Sequence, residues 1–339
     1  MGDEMYKYAI IGFGGLGKKH LMNLLELEKE RGDIHLHAIC GADEATVKNS
    51  MNLNIGEVDL SSVDFSECKF YQDYREMLNN EPLDFVLSTL PTFLHEEVAV
   101  YALKKGVHVF SEKPMALSAE SCENMSRAAM SSGKYLMIGH SARFESAYEK
   151  LKEYVDKKTF GEPFRAEFFR YSQLPCWTWN NWILDPKQSG GCALDMHIHD
   201  VDLINWFFGL PKALESAVTE RKAGLESVFT HYFYDNLLVV SGADWAMPQS
   251  FPFEKRCMVN FEKATVVIKD GTMTVYQDED SFSPVLDAEP SHMREIRAFL
   301  KCIIDGEGLE NISPESACES VKLVLKEVEA AKTGGRMYL

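Results

Sequence analysis

The sequence predicts an α/β protein in two parts: a doubly wound parallel sheet over residues 1–142 and an α+β domain over residues 143–339. Up to Gly139, short apolar runs alternate with helical patterns, which is typical of a parallel sheet covered by helices. A glycine-rich segment follows the first of these runs. After Gly139, strand-like runs follow one another across short turns, which predicts a large, mostly antiparallel open sheet.

The composition limits the classes of protein to consider. Of the 339 residues, 45% are hydrophobic and the net charge is −17, so a basic face for nucleic acid is not expected, nor binding to an anionic membrane. The eight cysteines form no C-x-x-C pair, which predicts neither a zinc ribbon nor a thioredoxin-type site. The first residues lack a signal-peptide pattern, and we expect a reduced, cytoplasmic protein.

The first predicted strand, Tyr8–Ile11, leads into a loop of the pattern G-x-G-x-x-G that opens a helix. The first glycine of such a loop permits a tight turn and the second lets the backbone approach a pyrophosphate. The third lets the helix pack on the strand. The residues predicted to bind a dinucleotide are Gly12, Phe13, Gly14, Gly15, Leu16 and Gly17.

The end of the second predicted strand, Ile34–Cys40, bears on the choice of dinucleotide. An acidic residue commonly follows this strand and bonds the ribose 2′-hydroxyl of NAD. Here Gly41 follows the strand and Asp43 comes two residues later, with no Arg to hold a 2′-phosphate. We therefore predict NAD or NADP, with NAD favoured and Asp43 as a cofactor contact.

The rest of the first domain continues the alternation. The polar stretch 44–69 is predicted to be irregular, with one short helix at 44–52. Beyond it the predicted elements are strands at Leu83–Leu90, Val107–Phe110 and Tyr135–Ile138, and helices at about 95–105 and 118–132.

Lys113 is the first candidate catalytic residue. It follows the buried run Val107–Phe110, and ligands of open parallel sheets bind beyond the carboxyl ends of the strands. A lysine there can stabilise an oxygen that develops negative charge. Pro114 disfavours helix at Lys113 and keeps it in an extended or turned segment. The alternative is a surface Glu–Lys pair in a loop.

The second domain is predicted to begin with a helix at Glu145–Lys158 and to close with helices at about 290–305 and 314–332. Between them the predicted strands are Phe164–Tyr171, Ser227–Tyr234, Leu237–Val240, Cys257–Asn260, Ala264–Ile268 and Thr272–Gln277.

A predicted helix over residues 189–209 carries the other candidate catalytic residues. Asp195 and His199 are four residues apart and share a face, which Asp202 is predicted to continue. A carboxylate beside an imidazole orients the ring for acid–base chemistry. Because His197 and His199 differ by about 200° in direction on a helix, they cannot chelate one ion, and no metal is predicted. The alternative is an ordinary helix with a capped histidine.

With these residues in view, the chain resembles the glucose–fructose oxidoreductase / inositol dehydrogenase (Gfo/Idh/MocA) family over nearly its whole length. The Glu-Lys-Pro and Asp-x-x-x-His segments, in this order and spacing, are more specific than the glycine loop. The sequence departs from the family pattern at Gly41, Ser146 and Cys192. The motifs that carry the resemblance are IIGFGGLGKKH (10–20), TLPTFLH (89–95), GVHVFSEKP (106–114) and SGGCALDMHIHDVDLINWFFG (189–209).

The resemblance implies roles for particular residues. It implies that Lys113 contacts the substrate and the nicotinamide ribose, and that Asp195 and His199 form the catalytic pair, with His199 accepting the hydroxyl proton. It implies a sugar, sugar derivative or cyclitol as substrate, and homodimers or homotetramers built through the C-terminal sheet. The further cofactor contacts that it implies are Leu90, Pro91, His95 and Glu112.

Three tryptophans, Trp177, Trp179 and Trp182, lie within six residues of one another and could stack on a sugar ring or gate the site. A packed connection between domains is the alternative. The complete set of predicted substrate contacts is Lys113, Arg143, Trp177, Trp182, Asp195 and His199.

Three functions are compatible with the sequence. The first is an NAD(P)-dependent dehydrogenase that transfers a hydride between the nicotinamide and a secondary hydroxyl of a sugar, sugar derivative or cyclitol. The second is an NAD-dependent glycosidase that works by transient oxidation and β-elimination. The third, a dinucleotide-binding sensor without turnover, is disfavoured by the presence of Lys113, Asp195 and His199.

Overall fold

The computed structural model describes residues 5–49, 51–53, 56–176, 178–308 and 313–339. The chain divides into two compact units. One is Met1–Gly139 with His292–Glu315, and the other is His140–Ser291 with Ser316–Leu339. The single boundary predicted between residues 142 and 143 differs from this division, because a C-terminal segment belongs to the first unit.

The first unit contains a six-stranded sheet. Along the chain its strands are β1 (Tyr6–Ile11), β2 (Ile34–Cys40), a hairpin of β3 (Met51–Leu53) and β4 (Gly56–Val58), β5 (Lys69–Tyr71), β6 (Phe85–Ser88), β7 (His108–Glu112) and β8 (Leu136–Gly139). Its helices before Gly139 are α1 (Gly15–Arg31), α2 (Tyr74–Asn80), α3 (His95–Lys104) and α4 (Ala119–Ser132). The sheet order is β5-β2-β1-β6-β7-β8 and every neighbouring pair is parallel, which confirms the predicted doubly wound sheet.

The strand order brings the predicted cofactor segments together. Strands β6 and β8 are buried along their whole length, as expected for a parallel sheet covered on both faces. Because β1, β6 and β7 are neighbours, the glycine loop, the Leu90–Pro91 turn and Lys113 all follow carboxyl ends at the same edge of the sheet.

The helix predicted at 44–52 is wrong. Residues 44–48 form a turn, and the short strand β3 begins at Met51. The side chain of Asp43 accepts hydrogen bonds from the backbone N–H and the hydroxyl of Thr46, at 2.9 and 2.7 Å. Local bonds of this kind compete with helix propagation.

The second unit contains a nine-stranded sheet. Its helices are α5 (Ser146–Asp156), α6 (Pro186–Ser189), α7 (Ile198–Phe208) and α9 (Pro314–Thr333), and α8 (Ser291–Leu300) precedes α9. Its strands are β9 (Pro163–Gln173), β10 (Ala213–Arg221), β11 (Gly224–Phe233), β12 (Leu238–Met247), β13 (Glu254–Phe261), β14 (Thr265–Lys269), β15 (Thr272–Tyr276), β16 (Ser281–Phe282) and β17 (Met337–Tyr338).

This second sheet is open and mixed, with the order β16-β15-β14-β13-β9-β12-β11-β10-β17. The β9–β12 pair is parallel and the other pairs are antiparallel, which confirms the predicted mostly antiparallel sheet. Strand β10 was missed because the buried positions are confined to its start, so the chain shows no two-residue alternation there.

Helix α8 returns to the first unit through aromatic packing. Phe299 is fully buried, and its ring lies edge-on to Phe85 at 5.9 Å and to Phe110 at 5.8 Å. Buried aromatic pairs of this geometry stabilise a core beyond their area. Within the described ranges, no helix has the length and hydrophobicity needed to span a membrane.

Candidate active site

The glycine loop has the geometry of a phosphate cradle. Gly12 has φ +90°, and a Cβ there would come within 3.0 Å of the Thr89 backbone. A Cβ on Gly17 would clash with the Gly12 carbonyl oxygen. Gly14 is different: a Cβ there meets no atom of the described chain within 4 Å. Gly12 and Gly17 are therefore needed by the fold, whereas Gly14 leaves open space beside the start of α1, as a pyrophosphate group requires.

The corner after β2 explains one departure from the family pattern. Gly41 has φ +98° and its N–H donates to the Tyr71 carbonyl at 2.9 Å. An acidic side chain at this position would be strained, because residues with a Cβ rarely adopt positive φ. Asp43 is exposed two residues later, and its hydrogen bonds from Thr46 lower the pKa of its carboxyl, so it is ionised at neutral pH. Its role as the ribose contact stays a prediction.

His95 braces two loops of the first unit. Its Nδ1 lies 2.8 Å from the Pro114 carbonyl and its Nε2 lies 2.8 Å from the Leu90 carbonyl. The ring is 1% exposed, and burial lowers the pKa of His95 while the two carbonyls oppose that shift. Because both ring nitrogens face carbonyls, a hydrogen bond from His95 to a cofactor would require it to give up one of these contacts.

Lys113 and Glu112 differ in exposure although they are neighbours. Lys113 is half-buried directly after β7, and the Lys113–Pro114 peptide is cis. Glu112 is 6% exposed, and its Oε1 lies 2.6 Å from the Nε2 of His20 on α1. The Glu112 side chain is therefore engaged within the first unit, and its predicted contact with the cofactor stays a prediction.

Glu112 belongs to a buried cluster of ionisable side chains that was not predicted from the sequence. In the part of the chain that the structure describes, His20, Glu112 and Glu295 are the residues whose ligand atoms lie within 4.8 Å of one another and could hold a metal ion. No metal was predicted. Glu295 is on α8, and nothing in the local sequence pairs it with His20 or Glu112, which lie far earlier in the chain.

In the second unit, the residues around Asp195 form a π-helical turn, Ala193–His197, that continues into α7. Wide turns of this kind are rare and often occur at functional sites. Asp195 and His199 are half-buried, whereas their neighbours Met196, Ile198 and Asp200 are buried. The face that sequence spacing assigned to Asp195 and His199 is therefore the accessible one.

Two other polar residues of this segment are held in buried contacts. His197 Nε2 lies 3.1 Å from Glu327 on α9, and both side chains are fully buried. The Tyr232 hydroxyl on β11 donates to the same Glu327. Asp200 pairs with Arg170 of β9 at 2.9 Å. His197 and His199 thus lie in different environments, as their helical directions predict.

Asp202 was predicted to lie on the same helical stripe as Asp195 and His199, but unlike them it is fully buried. Asp202 is 0% exposed, and its carboxylate accepts two hydrogen bonds from Arg143, at 2.7 and 2.6 Å. The hydroxyl of Ser320 donates to it at 2.8 Å. Burial acts to raise the pKa of Asp202, but the positive charge of Arg143, with His140, outweighs it and lowers that pKa.

Arg143 thus has a structural partner, and the Ser316 hydroxyl lies 2.8 Å from the same guanidinium. Its predicted contact with substrate is untested.

The tryptophan segment is partly accessible: Trp179 is 72% exposed and Trp182 is half-buried in the 3-10 turn Trp179–Leu184. Trp177 lies outside the described residues.

Two family models match the chain. Residues 6–140 match the NAD-binding Rossmann domain of the GFO/IDH/MocA oxidoreductase family, and residues 148–267 match the C-terminal domain of the same family.

Curated relatives agree with this match. A myo-inositol 2-dehydrogenase of Thermotoga maritima is 29% identical over 203 residues, which is 60% of this chain and 55% of that protein. An inositol 2-dehydrogenase of Salmonella typhimurium is 25% identical over 201 residues, which is 59% of this chain and 54% of that protein. The alignment thus spans about half the length of these relatives.

Solved structures share the fold over nearly all of both chains. A levoglucosan dehydrogenase in complex with NADH and levoglucosan superposes with a TM-score of 0.84 at 16% identity, covering 99% of each chain. An aldose-aldose oxidoreductase of Caulobacter crescentus, in complex with glycerol, has a TM-score of 0.82 at 18% identity and covers 99% of this chain and 100% of that one. Together with the two matched domains, the parallel sheet and its glycine cradle show that the chain belongs to the GFO/IDH/MocA oxidoreductase family.

Proposed function

We propose that the protein is an NAD(P)-dependent dehydrogenase that acts on a secondary hydroxyl of a cyclitol, sugar or sugar derivative. The observation that carries the proposal is the selective exposure of Asp195 and His199. Their polar neighbours His197, Asp200 and Asp202 are buried against structural partners. A carboxylate on a π-helical turn and an imidazole at the start of the helix that follows, both accessible, are suited to proton transfer with a ligand.

The residues proposed to hold the dinucleotide are those of the glycine cradle. The pyrophosphate would lie beside Gly14 at the start of α1, where backbone N–H groups and the helix dipole favour an anion. Asp43, exposed and ionised, is suited to a ribose hydroxyl, which favours NAD over NADP. When bound, the dinucleotide supplies the acceptor or donor of the hydride.

The chain's own residues are proposed to handle the proton and the substrate oxygen. His199 accepts the proton of the hydroxyl that is oxidised, and Asp195 orients the ring. Lys113 stabilises the negative charge that develops on the substrate oxygen and helps to fix the substrate. Trp179 and Trp182 offer partly exposed aromatic faces to a polyol ring.

A cofactor-reduction screen tests this function. The purified protein is mixed with NAD or NADP and with inositols, sugars and sugar acids, and nicotinamide reduction is followed by absorbance. The names of the relatives make inositols the first substrates to test. Sustained reduction with a polyol supports a dehydrogenase. Cleavage of a glycoside without net reduction would support the glycosidase, and activity confined to an amino acid or a long-chain aldehyde would contradict the proposal.

Gly14→Val should weaken dinucleotide binding and leave the fold intact. The valine side chain meets no protein atom near its Cβ but occupies the space proposed for the pyrophosphate. An inserted side chain in a packed contact costs about 1–3 kcal/mol, so Kd should rise by about fivefold or more. Calorimetric titration measures Kd, and thermal unfolding checks the fold.

The matched control is Gly17→Ala, whose methyl group would meet the Gly12 carbonyl oxygen within the protein itself. It should lower the melting temperature, which Gly14→Val should not. An unchanged Kd in Gly14→Val would show that the pyrophosphate does not lie beside this glycine.

We also propose that two copies associate through the face of the second sheet that carries Phe169, Phe229 and Val240. Phe229 is 39% exposed, and it covers Gly242 together with Phe169. The neighbouring strands leave a shallow depression there, lined by Glu215, Ser216, Ala217, Phe229, Thr230, His231 and Val240. A sheet face that exposes an aromatic side chain beside a shallow depression suits a self-complementary interface. Sedimentation equilibrium measures the mass, and a monomer at micromolar concentration would contradict the proposal.

A further inference from the structure

The cluster of His20, Glu112 and Glu295 lies in the core of the first unit. The three side chains come from α1, from the end of β7 and from α8. His20 and Glu295 are 0% exposed and Glu112 is 6% exposed. The His20–Glu112 contact is 2.6 Å, and ligand atoms of all three residues lie within 4.8 Å of one another.

The charges of this cluster do not balance if both glutamates are ionised. Burying a carboxylate without a partner is costly, and two carboxylates that share a site cannot both ionise freely. The imidazole of His20 contacts one of the two carboxylates, that of Glu112. Among the described residues, neither oxygen of Glu295 has a hydrogen-bond partner. The second carboxylate therefore needs either a proton or a cation.

We propose that Glu295 carries a proton at neutral pH, and that the buried cluster of Glu295, Glu112 and His20 positions Lys113. Glu112 immediately precedes Lys113, and His20 ties it to the helix that starts at the glycine cradle. The cluster thus joins the strand end that bears Lys113 to α1 and α8. Its effect on turnover rests on the proposed function, whereas the protonation of Glu295 does not.

The short contact between His20 and Glu112 favours a proton over a cation. Two atoms bound to one ion at about 2.1 Å each would lie about 3 Å or more apart, which is longer than the 2.6 Å observed. Burial is the main cause that raises the pKa of Glu295 well above its usual value, and the charge of Glu112 adds to it.

The other charged groups around the cluster act mainly on Glu112. The pKa of Glu112 is lowered overall: burial opposes this, but His20, His292 and Lys113 favour its ionised form. The ring of His292 lies 5.8 Å from that of His20. These groups favour the negative charge on Glu112, whereas neither oxygen of Glu295 has a hydrogen-bond partner among the described residues, so the proton belongs to Glu295.

The pH dependence of stability in Glu295→Gln tests the protonation. The unfolded glutamate loses its proton near pH ~4.3, whereas the folded one keeps it, so the wild-type protein should lose stability as pH rises above that value. Glutamine is neutral at every pH. Glu295→Gln should therefore melt higher than wild type at pH 8, with a difference that shrinks toward pH 5. Glu329→Gln, an exposed position that pairs with Lys326, is the control and should show no such trend.

An opposite trend would overturn the proposal. If Glu295 is ionised and bound to a cation, Glu295→Gln should melt lower than wild type at pH 8, and elemental analysis should find about one metal per chain in the wild type. An infrared difference spectrum gives an independent readout: wild type minus Glu295→Gln should show the carbonyl band of a protonated carboxyl at pH 7, and its absence would contradict the proposal.

Measurement of kcat tests the second part of the proposal, that the cluster positions Lys113. Glu295→Gln should keep kcat within about twofold, because an amide replaces a neutral acid of the same shape, whereas Glu295→Ala should lower kcat with little change in the Kd of the dinucleotide. Equal loss in both variants would refute the positioning role. If no polyol is oxidised at all, the proposed function fails, while the pH dependence and the infrared band still decide whether Glu295 is protonated.

Discussion

His199→Ala is expected to lower kcat by about 100-fold or more, because a positioned base contributes ~10²–10⁴-fold to proton transfer. His199 is half-buried in the first turn of α7 and does not belong to the core, so fold and dinucleotide binding should survive. In the wild type, oxidation should fall when the medium is acidic enough to protonate the ring, since an imidazolium accepts no proton. Stopped-flow or steady-state measurement of nicotinamide absorbance at several pH values tests both the loss of kcat and the pH dependence.

Lys113→Ala is expected to cause a loss of the same order, because it removes the charge that we propose to stabilise the substrate oxygen. The double variant should lose much less than the product of the two single effects, since residues that act on one transition state are not additive. His35→Ala, at a part-exposed histidine that contacts Glu28, is the control and should keep near-full turnover. Near-full turnover in His199→Ala with an unchanged pH profile would identify His199 as an ordinary helix residue.

Arg143→Met is expected to lower the free energy of unfolding by about 3–5 kcal/mol, the usual cost of removing one partner of a buried ion pair. Asp202 would keep a negative charge at 0% exposure and would lose both hydrogen bonds from the guanidinium. Denaturant unfolding measures the change. Arg165→Met is the control, because the Arg165 side chain is 43% exposed and Glu167 keeps a second partner in Arg256, so the loss should be at most about 1 kcal/mol.

The contribution of the Arg143–Asp202 pair to stability should decrease as pH falls. The lowered pKa of Asp202 stabilises the folded state above the ordinary pKa of an aspartate, and this stability is lost as pH falls through the folded value. Arg143→Met should remove that loss, and adding Asp202→Asn should restore part of the stability at neutral pH. If Arg143→Met unfolds like wild type but raises KM, Arg143 contacts the substrate, as its place in the sequence indicated.

Local sequence predicted much of the fold and several candidate site residues. Ile34–Cys40 is a strand with the predicted bounds, because an apolar run between turn residues suffices to define it. The glycine pattern after Tyr8–Ile11 predicted the turn at Gly12 and the close packing at Gly17. The four-residue spacing of Asp195 and His199 predicted that they share an accessible face.

Partners distant in sequence were decided by the tertiary structure. Arg143 and Asp202 are 59 residues apart, and His20 and Glu112 are 92 residues apart. The sequence pattern of a helix does not distinguish a polar residue that faces solvent from one that faces a buried arginine. The burial of Asp202 was therefore not predicted, and Glu295 was not identified as part of a buried cluster. His95 was predicted as a cofactor contact, and the fold places it between two backbone carbonyls.

The grouping of the chain into units was likewise decided by packing. Helix α8 was predicted from its pattern, but the pattern shows only that one face is apolar and not which surface covers it. Phe299 finds its partners, Phe85 and Phe110, about 190 residues or more earlier in the chain. The periodicity of the sequence therefore determined which helices and strands form and which face of each one is apolar. Long-range packing of aromatic rings and buried charges determined which of these residues became structural and which stayed accessible for chemistry.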